Sequence, residues 1–282
     1  MGTVDDDSKY DSSLDPETQR ELDDAWDALG DGDLAEAARA LAKARAGAPG
    51  DPAVLEVEAE LAVADERPQD ALEAYRRWSD AEPDDPEPWI GSAEVYLEYG
   101  EPAEAARLLR ELLADWELDP LDEADARHIL GQACEDKDDR KGMLKEWLAV
   151  LRLDAANDEP EPVISPARFE RIAAAALDEL PPEVLERLRN VPILVEERPS
   201  EALVLEGLDP RTLGLFHGIA MPDQSTLGPG PETGLIHLFQ RNLEREATDE
   251  EDLAEQIRIT VLHETAHYFG AVESDMDSFG LN

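Results

Sequence analysis

The sequence predicts an α+β chain in two parts: an all-α solenoid of helical hairpins, then a small α+β domain. Three observations carry this. The first half matches itself on a shift of 34 residues, a period typical of stacked helical hairpins. The second half replaces that repeat with short alternating segments of strand character. A long amphipathic pattern near the end holds two histidines four residues apart, His263 and His267.

Residues 1–15 are polar and acidic and are expected to be disordered. The repeat follows. Asp51-Pro52, Asp85-Pro86 and Asp119-Pro120 recur at the 34-residue step, as do Ala37, Ala71 and Ala105. Gly32 and Gly100 are in the same phase with Glu66 between them, and Pro49 and Pro83 repeat the step. A small alanine lets the two helices of a hairpin approach closely, and proline closes one helix and starts the next turn. Trp89, Ala93 and Tyr96 add a large, small, large pattern. In this the segment resembles the tetratricopeptide repeat. Leu130-Gly131, Trp147 and Leu153-Asp154-Ala155 mark a degenerate fourth unit with a four-residue insertion. Residues 16–157 are therefore read as about four hairpins, with Trp78, Trp89, Trp116 and Trp147 as core fillers. Residues 158–164, rich in proline and acids, are the expected linker.

The second domain is expected over 165–282. A helix from Phe169 to Leu180 stops at Pro181-Pro182, and a short helix covers Glu183–Asn190. Strands are predicted over Val191–Glu197, Thr212–Gly218 and Gly234–Arg241, the last as an exposed edge able to pair with an extended substrate. A helix follows over 249–269, opened by a capping box of Thr248 and Glu251 and closed by Gly270. Leu253, Ile257 and Val261 form one apolar row on it; Leu262, Ala266 and Phe269 form a second. A helix apolar on two rows is mostly buried.

Its motif is His263-Glu264-Thr265-Ala266-His267. Residues four apart on a helix lie about 40° apart around the axis, one turn on, so both imidazoles can reach one zinc ion. Glu264 between them is placed as general base for hydrolysis of a peptide bond. Zinc needs a third protein ligand. Glu273 stands at the spacing where the long form of the motif carries it, and Asp275 is the alternative.

Phe169 with Ala176 to Pro181, Val191 with Val195 to Pro199, Leu213 to Gly218, Ile236 to Phe239 and Val261 to Gly270 follow one another in order. Together they resemble the small bacterial zincin-like metallopeptidase family over nearly all of 165–282. The resemblance implies a minimal zincin fold, a bound Zn2+, His263 and His267 as ligands, Glu264 as base, and an acid at Glu273. His217 and His237 depart from the family pattern, as incidental changes or as extra contacts to substrate.

The chain holds 69 Asp and Glu against 25 Lys and Arg, a net charge of −44 over 282 residues. Such a field repels nucleic acid and anionic membranes and favours a basic protein or peptide partner. With one cysteine, Cys134, no internal disulfide can form. The first residues carry no basic and apolar leader, so the expected location is the cytoplasm. The expectation is thus a zinc metallopeptidase with a repeat domain that binds a substrate or partner. The competing expectation is a repeat scaffold with a vestigial or structural zincin domain; an intact Glu264 counts against it.

Overall fold

Asp15, Asp51 and Asp119 each accept main-chain N–H bonds from the first turn of the helix that follows, where Pro16, Pro52 and Pro120 stand. The carboxylate satisfies donors that the helix leaves open, and proline has no N–H to waste there. These steps were seen in a computed structural model that describes residues 14–157, 161–178, 180, 185, 186, 188, 191–218 and 234–269. The chain divides into two compact units, residues 1–153 and 154–282.

The described residues of the first unit form a run of four helical hairpins: α1 (Pro16–Gly30) with α2 (Leu34–Gly47), α3 (Pro52–Ala64) with α4 (Pro68–Ala81), α5 (Glu87–Glu98) with α6 (Pro102–Asp115), and α7 (Pro120–Glu135) with α8 (Arg140–Asn157). The last residues of α8, from Asp154 on, belong to the second unit. Ala37, Ala71 and Ala105 are fully buried, as close helix contact requires.

The turn inside every hairpin has one geometry. Gly32, Glu66, Gly100 and Asp138 all have positive φ, at 73°, 54°, 75° and 56°. The next N–H in each case bonds a carbonyl five residues back: Asp33 to Ala28 at 2.8 Å, Arg67 to Ala62 at 2.8 Å, Glu101 to Tyr96 at 2.7 Å, Asp139 to Cys134 at 2.8 Å. This bond closes the helix end. Asp138 rather than residue 134 takes the fourth place, which accounts for the four-residue insertion; α7 has 16 residues where α5 has 12.

Trp78 and Trp147 are buried, and the Trp147 indole lies so near Gly131 that a Cβ there would sit 2.2 Å from it. Trp89 and Trp116 differ from expectation: both are half-buried, paired at 6.0 Å, and the Trp89 Nε1–H donates to Ser79.

In the second unit α9 (Pro166–Asp178) is followed by a three-stranded sheet: β1 (Ile193–Glu196), β2 (Gly214–His217) and β3 (Leu235–Phe239). The order is β1-β3-β2, with β1 parallel and β2 antiparallel to β3. The unit's described residues also form helices α10 (Glu201–Glu206), α11 (Gln240–Glu246) and α12 (Glu250–Tyr268). The core joins Phe169, Ala173 and Ala176 of α9, Ile236 and Leu238 of β3, and Leu253, Ile257 and Val261 of α12. Ile164 is buried in the same core, and its carbonyl accepts from the Gln240 side chain at 2.7 Å.

Three sequence expectations are corrected. The third strand stops at Phe239, because Gln240 turns into α11, with Arg241 N–H bonded to the Glu197 carbonyl and Leu243 in the core. That strand is central, hydrogen-bonded on both sides, so it has no edge to offer a substrate. The cap of α12 is Asp249, not Thr248: its carboxylate accepts from Glu251 and Asp252 N–H, while Asp252 accepts from Thr248 N–H. Helix α10, unforeseen, is opened by Ser200 and closed by Gly207 at φ 113°. Most of the short helix expected over 183–190, and Gly270 itself, lie outside the described residues.

Candidate metal centre

Helix α12 carries the site on its last two turns. The row Leu253, Ile257, Val261 is fully buried against the sheet and α9. Anchored there, the helix turns His263 and His267 to a half-buried flank and Glu264 toward β2. The negative end of the helix lies at the histidines, where its dipole favours a cation. Glu250, Glu251 and Asp252 occupy the opposite, positive end.

The two imidazoles converge. His263 Nε2 and His267 Nε2 are 3.0 Å apart, with ring centroids at 4.7 Å and planes at 69°. Two nitrogens on one tetrahedral zinc, at about 2.0–2.1 Å each, would stand roughly 3.3 Å apart. The donor pair therefore fits the ion after a parting of a few tenths of an ångström. Both donors are the outer ring nitrogens, which suits neutral imidazole as a ligand.

Glu264 is buried, with 7% of its surface exposed. Its carboxylate accepts a hydrogen bond of 2.5 Å from the Phe216 main-chain N–H on β2. The carboxylate is thus held against a strand edge, one residue from the first ligand candidate. Gly214 stands beside it, where any Cβ would meet Thr260 and Glu264. Sequence reasoning gave neither Gly214 nor Phe216 a role; their segment carries part of the family resemblance, but nothing in it says that a main-chain N–H meets the motif glutamate.

Glu273 and Asp275 lie outside the described residues. Among the described residues no three His, Cys, Asp or Glu side chains are grouped to hold a metal. His217 and His237 sit on the sheet face away from α12. Side chains alternate along a strand, and it is Phe216, Ile236 and Leu238 that pack toward the helix. There His237 Nδ1 lies 2.6 Å from Glu196 Oε2, and its ring stacks on Phe239 at 6.0 Å. Neither histidine faces the motif.

The same segments can be compared with known proteins. Residues 188–281 match the family model described as zincin-like metallopeptidase. The matched stretch holds all three strands, α12 and the whole motif. Residues 62–120 match the tetratricopeptide repeat, spanning α4, α5 and α6. No curated protein matches the chain. Among solved structures, MamA 41-end from Desulfovibrio magneticus RS-1 is similar at 17% identity and a TM-score of 0.44, over 51% of this chain and 78% of that one. The chain therefore joins a zincin-like segment to tetratricopeptide-like hairpins. No helix among the described residues is long and apolar enough to cross a membrane.

Proposed function

We propose that the chain is a zinc-dependent peptidase, with the ion held by His263, His267 and an acid after the helix, Glu273 first and Asp275 second. The observation that carries this is the convergence of two Nε2 atoms at 3.0 Å beside a buried glutamate fixed to a strand edge. Zinc, when bound, supplies a Lewis acid that polarises a carbonyl and brings the pKa of water near 7. Glu264 takes the proton of the attacking water on its carboxylate and returns it to the leaving amine. The burial of Glu264 keeps bulk water from that exchange.

We further propose that the repeat unit recruits a basic segment of a substrate or partner. Support comes from Glu94 on α5. Burial, then the charges of Glu60, Asp125 and Glu87, push its pKa up to about 7, although its side chain reaches solvent. A carboxyl so crowded by acids would be relieved by a lysine or arginine. Cys134, a buried free thiol, suits the reducing conditions of the cytoplasm, where we place the chain.

The test is Glu264→Gln, which keeps the shape and removes the base. Bound zinc should stay stoichiometric while hydrolysis of a quenched fluorescent peptide library falls by about 10²–10⁴-fold. Activity retained in that variant would mean that Glu264 is not the base.

A further inference from the structure

The outer edge of β2 is built around Glu264. Phe239 N–H donates to the Leu213 carbonyl at 2.9 Å, so Leu213 turns its polar groups toward β3. Antiparallel pairing alternates, which turns those of Leu215 the same way and those of Gly214 and Phe216 outward. One of these outward groups, Phe216 N–H, is the donor to Glu264 Oε2. The other residue, Gly214, makes the approach feasible. A Cβ on it would stand 2.7 Å from Thr260 Cγ2, 2.9 Å from Glu264 Cγ and 3.1 Å from Glu264 Oε1. Real Cβ atoms essentially never come within 3.0 Å of a neighbour, as two of these contacts would, so glycine lets the strand lie this near the helix. The Phe216 ring then packs edge-on to Tyr268 at 5.6 Å, over Gly234, where a Cβ would fall 2.5 Å from the ring. Ring contacts on one side and the missing Cβ on the other set where the Phe216 N–H points.

We propose that Gly214 and Phe216 are positioning residues, whose joint task is to hold the Glu264 carboxylate in place through the Phe216 main-chain N–H. The proposal rests on the reading of Glu264 as the base. A charge-assisted bond this short fixes direction as well as distance. A general base gains most of its effect from being aimed, and small misplacements are costly.

The experiment uses the full, zinc-loaded chain labelled with [15N]phenylalanine, the Phe216 amide being assigned through Phe216→Leu. Its amide proton should resonate far downfield and move upfield in Glu264→Ala. Gly214→Ala should reproduce that upfield move with zinc content unchanged. Its kcat for the peptide library should drop roughly ten- to a hundredfold, with KM unchanged. If Gly214→Ala does not fold, Gly214→Ala with Thr260→Ser removes the nearest clash, keeps the one with Glu264, and is read the same way. An amide signal indifferent to Glu264→Ala overturns the proposal. So does a Gly214→Ala variant with an unmoved amide signal or with undiminished kcat. Loss of hydrolysis in Glu264→Gln but not in the glycine variant removes this inference alone; hydrolysis retained in Glu264→Gln removes the reading of Glu264 as the base beneath it.

Discussion

Two carboxylates in the second unit show how differently the same group is used. Glu264 accepts from the Phe216 main-chain N–H beside the histidines, whereas Asp154 is enclosed by arginines. Arg211 donates to both its oxygens at 3.0 and 3.1 Å, and Arg245 donates to Oδ2 at 2.9 Å. Burial would raise the Asp154 pKa, but the Arg211 bonds and the charges of Arg211, Arg245 and Arg198 outweigh it and hold the group below its ordinary 3.8. Removing the carboxylate takes away the acceptor that Arg211 and Arg245 share, so Asp154→Ala should cost about 3 kcal/mol in chemical denaturation at pH 7. Because the folded value is depressed, this stabilisation is complete above pH about 4 and is lost as pH falls through the folded value. The gap between wild type and Asp154→Asn should therefore close below pH about 4; a gap constant from pH 7 to 3 would contradict the assignment. At the metal site, Glu273→Ala should weaken zinc binding more than about tenfold in competition with a chromophoric chelator, and Asp275→Ala less. The opposite ranking would make Asp275 the ligand.

At the scale of the element, the hairpin turn shows how sequence phase becomes backbone geometry. Gly32 and Gly100 meet the positive φ freely, whereas Glu66 adopts 54° with a Cβ. Its side chain is exposed and the cost is in the backbone, so Glu66→Gly should stabilise the chain by about 0.5–1 kcal/mol. An unchanged or lower denaturation midpoint would show that the turn stores no strain. The 34-residue phase also shows why so much of the repeat unit was legible. Capping aspartates, helix-starting prolines and hairpin alanines are local devices, and they mark helix starts and hairpin contacts directly. The motif helix was legible for the same reason, through its apolar row and the four-residue spacing of its histidines. What stayed hidden depends on contacts distant in sequence. The central place of β3 follows from β1 and β2 closing on it from both sides. The turn at Gln240 depends on Ile164 and Glu197, and the role of Gly214 depends on Thr260 and Glu264. No periodicity within a strand reports those partners. The cap of α12 was misread by one residue because Thr248 and Asp249 are both good caps, and the contest is settled by which of them reaches the first free N–H groups.

At the scale of the whole molecule, a net charge of −44 sets the terms of association. A lysine-rich peptide should bind with an affinity that falls steeply as salt rises, since the attraction is screened over about 10 Å at 0.1 M. Binding a cation near Glu94 favours its ionised form, so a proton should be released on binding, and affinity should rise between pH 6 and 8. Calorimetry in buffers of different ionisation enthalpy would detect that proton; binding without release, or unaltered in Glu94→Gln, would exclude this face. The hairpins have a consequence of another kind. Each packs on its sequence neighbours, α2 on α3, α4 on α5 and α6 on α7. Stability in such a stack passes along the chain like the closing of a zipper. Among the described residues the first hairpin, α1 with α2, packs on a hairpin at one side, whereas α3–α4 and α5–α6 are flanked on both. Amide hydrogens should therefore exchange fastest in the first hairpin and slowest in the two middle ones, a gradient written by position in the row rather than by the quality of any one helix.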